Sequence, residues 1–115
     1  MSEEFKQIST ANGFMKHNGG ILFRAISENE YEFKTKINEN HLNNAKIAHG
    51  GFIAALTDAG VGTAAHRTTG ANICVTISLE LKFISQVKLG QELIGLVKVQ
   101  KKTKSLVFLT CELRA

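Results

Sequence analysis

Apolar and polar residues alternate strictly over Tyr31, Phe33, Thr35 and Ile37, with Glu30, Glu32, Lys34 and Lys36 between them. A period of two marks a strand buried on one face, as in antiparallel sheets. Ile21 to Ser27 reads as the strand before it, turned at Glu28-Asn29 into a hairpin. The same alternation returns at Ile77, Leu79, Leu81 and Phe83, set between Thr76, Ser78, Glu80 and Lys82. After a turn at Lys88-Leu89-Gly90, Leu93, Val97 and Val99 line one face of a further strand. A hairpin at Lys101 to Lys104 leads into a last strand with Val107, Leu109, Cys111 and Leu113 inward. Near the start, Phe5, Ile8 and Phe14 are spaced for a helix over residues 3–16, weakened at its end by Gly13, before a turn at His17-Asn-Gly-Gly20.

One stretch follows neither pattern. Between Phe52 and Ala65 the only ionisable residue is Asp58; the rest is apolar, Gly or Thr. Such a segment predicts a helix enclosed by the domain, from about Gly51 to His66, with Gly70 as its stop. At 100° per residue Phe52, Ile53 and Leu56 share one side. Asp58 lies on the other with Ala54, Ala55, Gly62 and Ala65, a face of small side chains. Each helical glycine costs about 1 kcal/mol relative to Ala, so Gly60 and Gly62 point to close packing. One antiparallel sheet must curl around this one helix, and the Asp58 side then needs a further cover. A second copy of the chain is the simplest cover, and twofold dimers are the commonest assembly.

An enclosed carboxylate is costly unless bonded or paired, and desolvation raises its pKa, which makes Asp58 a candidate for chemistry. The alternative is a structural Asp bonded to the hydroxyl of Thr57 or Thr63, or to a neighbouring chain. Gly50-Gly51 adds to the first reading. At a helix start the leading N–H groups lack partners in the helix and carry partial positive charge. Glycine there lets an anion, or a carbonyl oxygen becoming one, approach the backbone closely. The polar loop 38–48 feeds directly into this point, and loops on a rigid scaffold often carry function.

At 115 residues the chain is expected to be one domain, 1–115, with a core of its own. No run of 18 apolar residues occurs, so no membrane insertion is expected. Met1-Ser2-Glu3-Glu4-Phe5 lacks the basic flank and apolar stretch of a secretory signal, which leaves a cytoplasmic location as the expectation. Cys74 and Cys111 fall on predicted strands and read as reduced core residues, a disulfide between them being the other reading. The His and Cys positions show no metal-ligand spacing. A net charge of +4 suits an anionic partner such as a phosphorylated ligand. Lysines cluster only at Lys98, Lys101, Lys102 and Lys104, and without interleaved aromatics they give no case for nucleic acid.

These residues resemble a known family. A single apolar helix wrapped by a curled antiparallel sheet of about five to six strands is the α+β hotdog fold. Asn43-Asn-Ala-Lys-Ile-Ala-His49-Gly50-Gly51, with Asp58 nine residues after the His, then Val75-Thr-Ile-Ser-Leu and Lys88-Leu-Gly90, resembles the acyl-CoA thioesterases of the phenylacetyl-CoA thioesterase branch. The resemblance runs from about Phe14 to Leu113. It implies hydrolysis of an acyl-CoA, coenzyme A being part of the substrate and no separate cofactor being needed, by a homodimer or homotetramer with shared sites. It further implies that the Gly50 N–H polarises the thioester carbonyl and that Gly51 shapes the turn. His49 would orient that loop or contact the thioester, and Asn43 would hold the water or the carbonyl. Asp58, from the partner subunit, would be general base or nucleophile, and Thr76 would supply an assisting hydroxyl. Lys102, Lys104 and Ser105 resemble the region that meets the coenzyme A phosphates; a solvated hairpin tip is the other reading. Lys46 departs from the family, which often has Gly there, and Gln86-Val87 replaces a common Pro-containing turn. Other readings are a non-catalytic acyl-CoA binding protein and, lower, a hotdog hydratase or dehydratase, whose catalytic His has no counterpart near Asp58 until His66.

Overall fold

A computed structural model describes residues 2–115. Five strands form one antiparallel sheet in sequence order: β1 (Lys6–Ile8), β2 (Ile21–Ala25), β3 (Glu30–Lys36), β4 (Glu92–Lys102) and β5 (Val107–Arg114). The short helix α1 (Phe14–His17) precedes β2, and a 3-10 turn (Glu39–His41) follows β3. The long helix α2 (Gly50–Thr68) packs on the face made by β2 to β5. No helix of the described residues is long and apolar enough to cross a membrane.

The period-two reading of β3 holds residue by residue. Tyr31, Phe33 and Thr35 are buried, and the intervening Glu and Lys residues are not. Phe33 pairs with Gly95 across the β3–β4 ladder and is completely buried. Its ring fills the space that a side chain on Gly60 or Gly95 would take. A Cβ built on Gly60 would stand 2.2 Å from Phe33 Cδ2, and one on Gly95 2.3 Å from Cζ. The helix therefore sits on the sheet through one aromatic ring held between two glycines. Gly60 is the close-packing position expected of it. Gly62 is not, since nothing lies within 4 Å of a Cβ built there.

Around this contact Ile21, Phe23, Leu56, Leu93 and Val97 complete the core. Phe52, Ile53 and Leu56 share the inward side of α2 as expected, while Ala54 and Ala55 lie half-exposed on the other. Ala65 is a correction, being buried at 6 % exposure. The helix runs to Thr68, two residues past the expected His66, and the chain leaves it through Gly70, the expected stop, in the left-handed region at φ 72°.

Residues 3–16 are not a helix. Lys6-Gln7-Ile8 pairs with β2 as an edge strand, and only Phe14–His17 is helical. Loose apolar spacing lost to sheet pairing. The Phe5 ring lies under the cations of both Arg24 and Lys34, and Glu3 accepts hydrogen bonds from the Ala25 N–H and Arg67.

The second correction concerns the strand expected at Ile77 to Phe83. Residues 72–86 form no ladder, and Ile73, Val75, Ile77 and Ile84 are at least 79 % exposed. Alternation identifies a face that could be buried but supplies no hydrogen-bond partner, and a strand needs both. Cys74 lies in this segment and is exposed, so it is no core residue. Cys111 is half-buried on β5, and burial, helped by the charge of Glu112, pushes its thiol up to about 12. The β4–β5 connection is the turn at Thr103–Leu106, two residues later than the lysine run.

Candidate active site

The segment 38–50 is shaped by its own side chains. Asn43 Oδ1 accepts from Ala45 N–H at 2.9 Å and Ile47 N–H at 3.4 Å, and Asn43 N–H donates to the Ile47 carbonyl. These bonds occupy the carbonyl end of the side chain and leave its NH2 without a partner among the described residues. Lys46 sits at φ 65°, in the left-handed region that favours glycine. The lysine therefore carries a backbone shape that glycine would adopt freely, and the loop closes all the same. An isolated bridge between Ile47 and Lys88 and the Ala48 N–H to Val87 carbonyl bond fasten the loop to residues 87–88.

His49 is the N-cap of α2. Its Nδ1 accepts from Gly51 N–H at 2.8 Å, and its carbonyl accepts from Phe52 and Ile53 N–H. Of the first four N–H groups of the helix, three are thus satisfied by one residue. The fourth, on Gly50, has no partner among the described residues. Gly50 is half-exposed, and the residue before it, His49, lines a hollow of about 490 Å³ with Leu42, Asn43, Asn44 and Ala45. A free N–H at the positive end of a 19-residue helix is a donor for an oxygen that gains charge.

Asp58 is exposed in the single chain rather than enclosed, because its face of α2 has no sheet over it. Neither helical threonine bonds it: Thr57 and Thr63 donate back to the carbonyls of Ile53 and Ala59. Its partner is Thr76, whose Oγ1 donates to Oδ1 at 2.6 Å. The segment 72–86 runs along the open side of the helix, with Thr76 at Asp58 and the Phe83 ring near Gly50; a Cβ on Gly50 would stand 3.6 Å from it.

The residues expected to act therefore form two groups: Asn43, His49 and Gly50 at the helix start, and Asp58 with Thr76 farther along. Eight residues at 1.5 Å each separate Gly50 and Asp58 by about 12 Å along the axis. A carbonyl oxygen bonded to the Gly50 N–H is out of reach of the same chain's Asp58. Lys102, Lys104 and Ser105 join neither group. They lie at the β4–β5 tip, and Lys102 Nζ donates to the Thr68 carbonyl at the helix end, about 27 Å along the axis from Gly50. Lys104 and Ser105 are exposed. Among the described residues no three His, Cys, Asp or Glu residues gather as metal ligands.

Sequence reasoning passed over His41. It is 1 % exposed, bonded at both ring nitrogens and stacked on Phe52. Its bond to Asn38 N–H is local, the Asn-x-x-His spacing of a capping box on the 3-10 turn, which the sequence did carry; the Asn18 carbonyl and the Phe52 ring are distant in sequence and left no such signal.

The chain is 26% identical over 120 residues to human acyl-coenzyme A thioesterase 13, covering 98% of this chain and 81% of that protein. Zebra fish thioesterase superfamily member 2 superposes with a TM-score of 0.81 at 21% identity, over 91% of this chain and 76% of that one. A mutant of the phenylacetic acid degradation protein PaaI from Thermus thermophilus superposes with a TM-score of 0.77 at 21% identity, over 88% and 84%. The architecture is the hotdog fold. The model of the thioesterase superfamily matches residues 45–115, which hold the helix, its free Gly50 amide and Asp58, and the chain belongs to this superfamily of thioester hydrolases.

Proposed function

We propose that the chain hydrolyses acyl-CoA thioesters as a homo-oligomer whose sites are shared between two copies. The observation that carries this reading is the Gly50 N–H, the one leading amide of α2 without a partner among the described residues. Human acyl-coenzyme A thioesterase 13, matched over nearly the whole chain, supports the substrate class.

In this reading the thioester carbonyl oxygen accepts from Gly50 N–H, with the Asn43 NH2 beside it. Asp58 of a second copy faces the carbonyl carbon, its Oδ1 held by Thr76 and its Oδ2 free. As general base it takes a proton from water while the water oxygen bonds to the carbonyl carbon. The C–S bond then breaks, the coenzyme A sulfur regains the proton, and the free acid leaves. As nucleophile, Asp58 would bond to the carbonyl carbon while the C–S bond breaks and coenzyme A leaves as the thiolate; water would then hydrolyse the resulting anhydride, releasing the acid and restoring the carboxylate. Both routes use the same donor for the developing oxyanion. The second copy also covers the exposed apolar residues of 72–86, which are too many to stay in water without a partner. Lys104 and Ser105 are free for the coenzyme A phosphates, whereas Lys102 is shared with the helix end.

The test is free-thiol release from a panel of aliphatic and aromatic acyl-CoAs, with Asp58→Asn beside the unmodified chain. Turnover that collapses in Asp58→Asn supports the proposal. Binding of acyl-CoA without release from any of them refutes it and leaves a binding protein. Turnover unchanged in Asp58→Asn keeps the activity but removes Asp58 from it.

A further inference from the structure

The Gly50 amide is useful only if its peptide plane is held, and the hydrogen bonds show what holds it. His41 Nδ1 accepts from Asn38 N–H at 3.0 Å. A ring nitrogen that accepts is unprotonated, so the proton of the neutral ring lies on Nε2, which points at the Asn18 carbonyl 2.5 Å away. The tautomer is thus dictated by one backbone donor and one backbone acceptor. The ring face lies on Phe52, with centroids 3.7 Å apart and planes 11° from parallel. The His41 carbonyl accepts from His49 N–H at 2.7 Å. His41 therefore grips the residue before Gly50 through its backbone and the side chain of Phe52, two residues after Gly50, through its ring.

We infer that His41 is a positioning residue for the Gly50 oxyanion donor, tying the α1–β2 turn, the 3-10 turn and the first turn of α2 into one unit. This rests on the reading of Gly50 given above. His41 does not line the hollow and touches no reacting atom, so it acts through His49 and Phe52. The turn on its far side is built for the contact: Gly19, at φ 100°, brings its backbone so close that a Cβ there would stand 3.4 Å from His41 Nε2. A phenylalanine could keep the stack on Phe52 but would leave Asn38 N–H and the Asn18 carbonyl without their partner. Gln offers an NH2 donor group and a carbonyl acceptor at the end of its side chain and can serve both.

The experiment compares His41→Phe, His41→Gln and Phe52→Leu with the unmodified protein by steady-state thiol release, thermal melting and the backbone amide NMR signal of Gly50. His41→Phe is expected to lower kcat by about 10–100-fold with KM changed little, the scale of a misplacement near 1 Å. His41→Gln recovers most of that loss, and Phe52→Leu, which keeps the polar bonds, loses less than His41→Phe. The Gly50 amide signal shifts in the same order. A folded His41→Phe with kcat within twofold of the parent overturns the inference, as does a loss confined to KM. If His41→Phe does not fold, a kcat for His41→Gln and Phe52→Leu equal to the parent's overturns it equally. Should the parent release no thiol, the proposed function fails separately. The Gly50 signal then decides alone: an unmoved amide in all the folded variants refutes the positioning role.

Discussion

Two glycines of α2 separated by a single residue should respond in opposite directions to the same added methyl group. In Gly60→Ala the new Cβ would fall 2.2 Å from Cδ2, 2.5 Å from Cγ and 2.6 Å from Cε2 of Phe33. Carbon atoms prefer roughly 3.5–4.0 Å. The ring cannot yield on its far side, where the Gly95 backbone supports it, and it is fully buried. Overpacking of this kind costs about 1–3 kcal/mol, and the clash here is with the body of a ring, so the upper half of that range applies. Ala recovers about 1 kcal/mol of helix propensity, leaving a net loss of about 1–2 kcal/mol. At roughly 4 °C per kcal/mol for a domain of this size, Tm should fall by about 4–8 °C. Gly62→Ala meets nothing within 4 Å and should gain about 1 kcal/mol, raising Tm by about 4 °C. Calorimetry of the two variants beside the parent decides the matter. A Gly60→Ala that melts at or above the parent would refute the claim that Phe33 between two glycines sets the helix-to-sheet distance.

Three further outcomes follow from local geometry. Gly51→Ala would bring a Cβ to 2.9 Å from His49 Nδ1 and Cε1, displacing the cap; about 1 kcal/mol of stability should go, and thiol release should fall more steeply than the small melting shift explains. Lys46→Gly removes a side chain from left-handed backbone, so Tm should rise by a few degrees, whereas Lys46→Val should lower it; equal melting of the two would show that the loop does not keep φ 65°. A thiol reagent at pH 8 should label Cys111 only after unfolding, because a thiol at about 12 is thiolate in about one part in 10⁴ there. Two fast equivalents per chain would contradict that assignment.

What the sequence disclosed and what it withheld divide along one physical line. Where burial and pairing agree, alternation was enough: β3 lies between two strands and buries Tyr31, Phe33 and Thr35, so pattern and structure coincide. At 76–83 the same alternation had no ladder to join, and at 5–8 a short strand was won by β2 and two cations over Phe5, none of which a periodicity can register. The helix start was legible because Gly50-Gly51 after a capping residue is a local signal. The Asp58–Thr76 bond spans 18 residues and was not foreseen; the family resemblance named both residues but did not pair them. His41 shows a local sign only in Asn38, three residues before it, with which it forms a capping box; the partners that bury it, Asn18 and Phe52, stand 23 residues before it and 11 after it, beyond any local pattern.

The bond from Thr76 to Asp58 has a consequence for how the segment around it can pair. Side chains of an extended chain alternate sides, so a slip of one residue exchanges every inward group for an outward one. Moved by one, residues 72–86 would present Val75 or Ile77 to the Asp58 carboxylate and turn the hydroxyl away. Whatever strand completes this segment thereby also selects what the carboxylate meets. A mispaired assembly would keep its fold, its helix and its Gly50 amide, and yet hold a carboxylate facing hydrocarbon. The register of this extended segment is in that sense a setting of the chemistry.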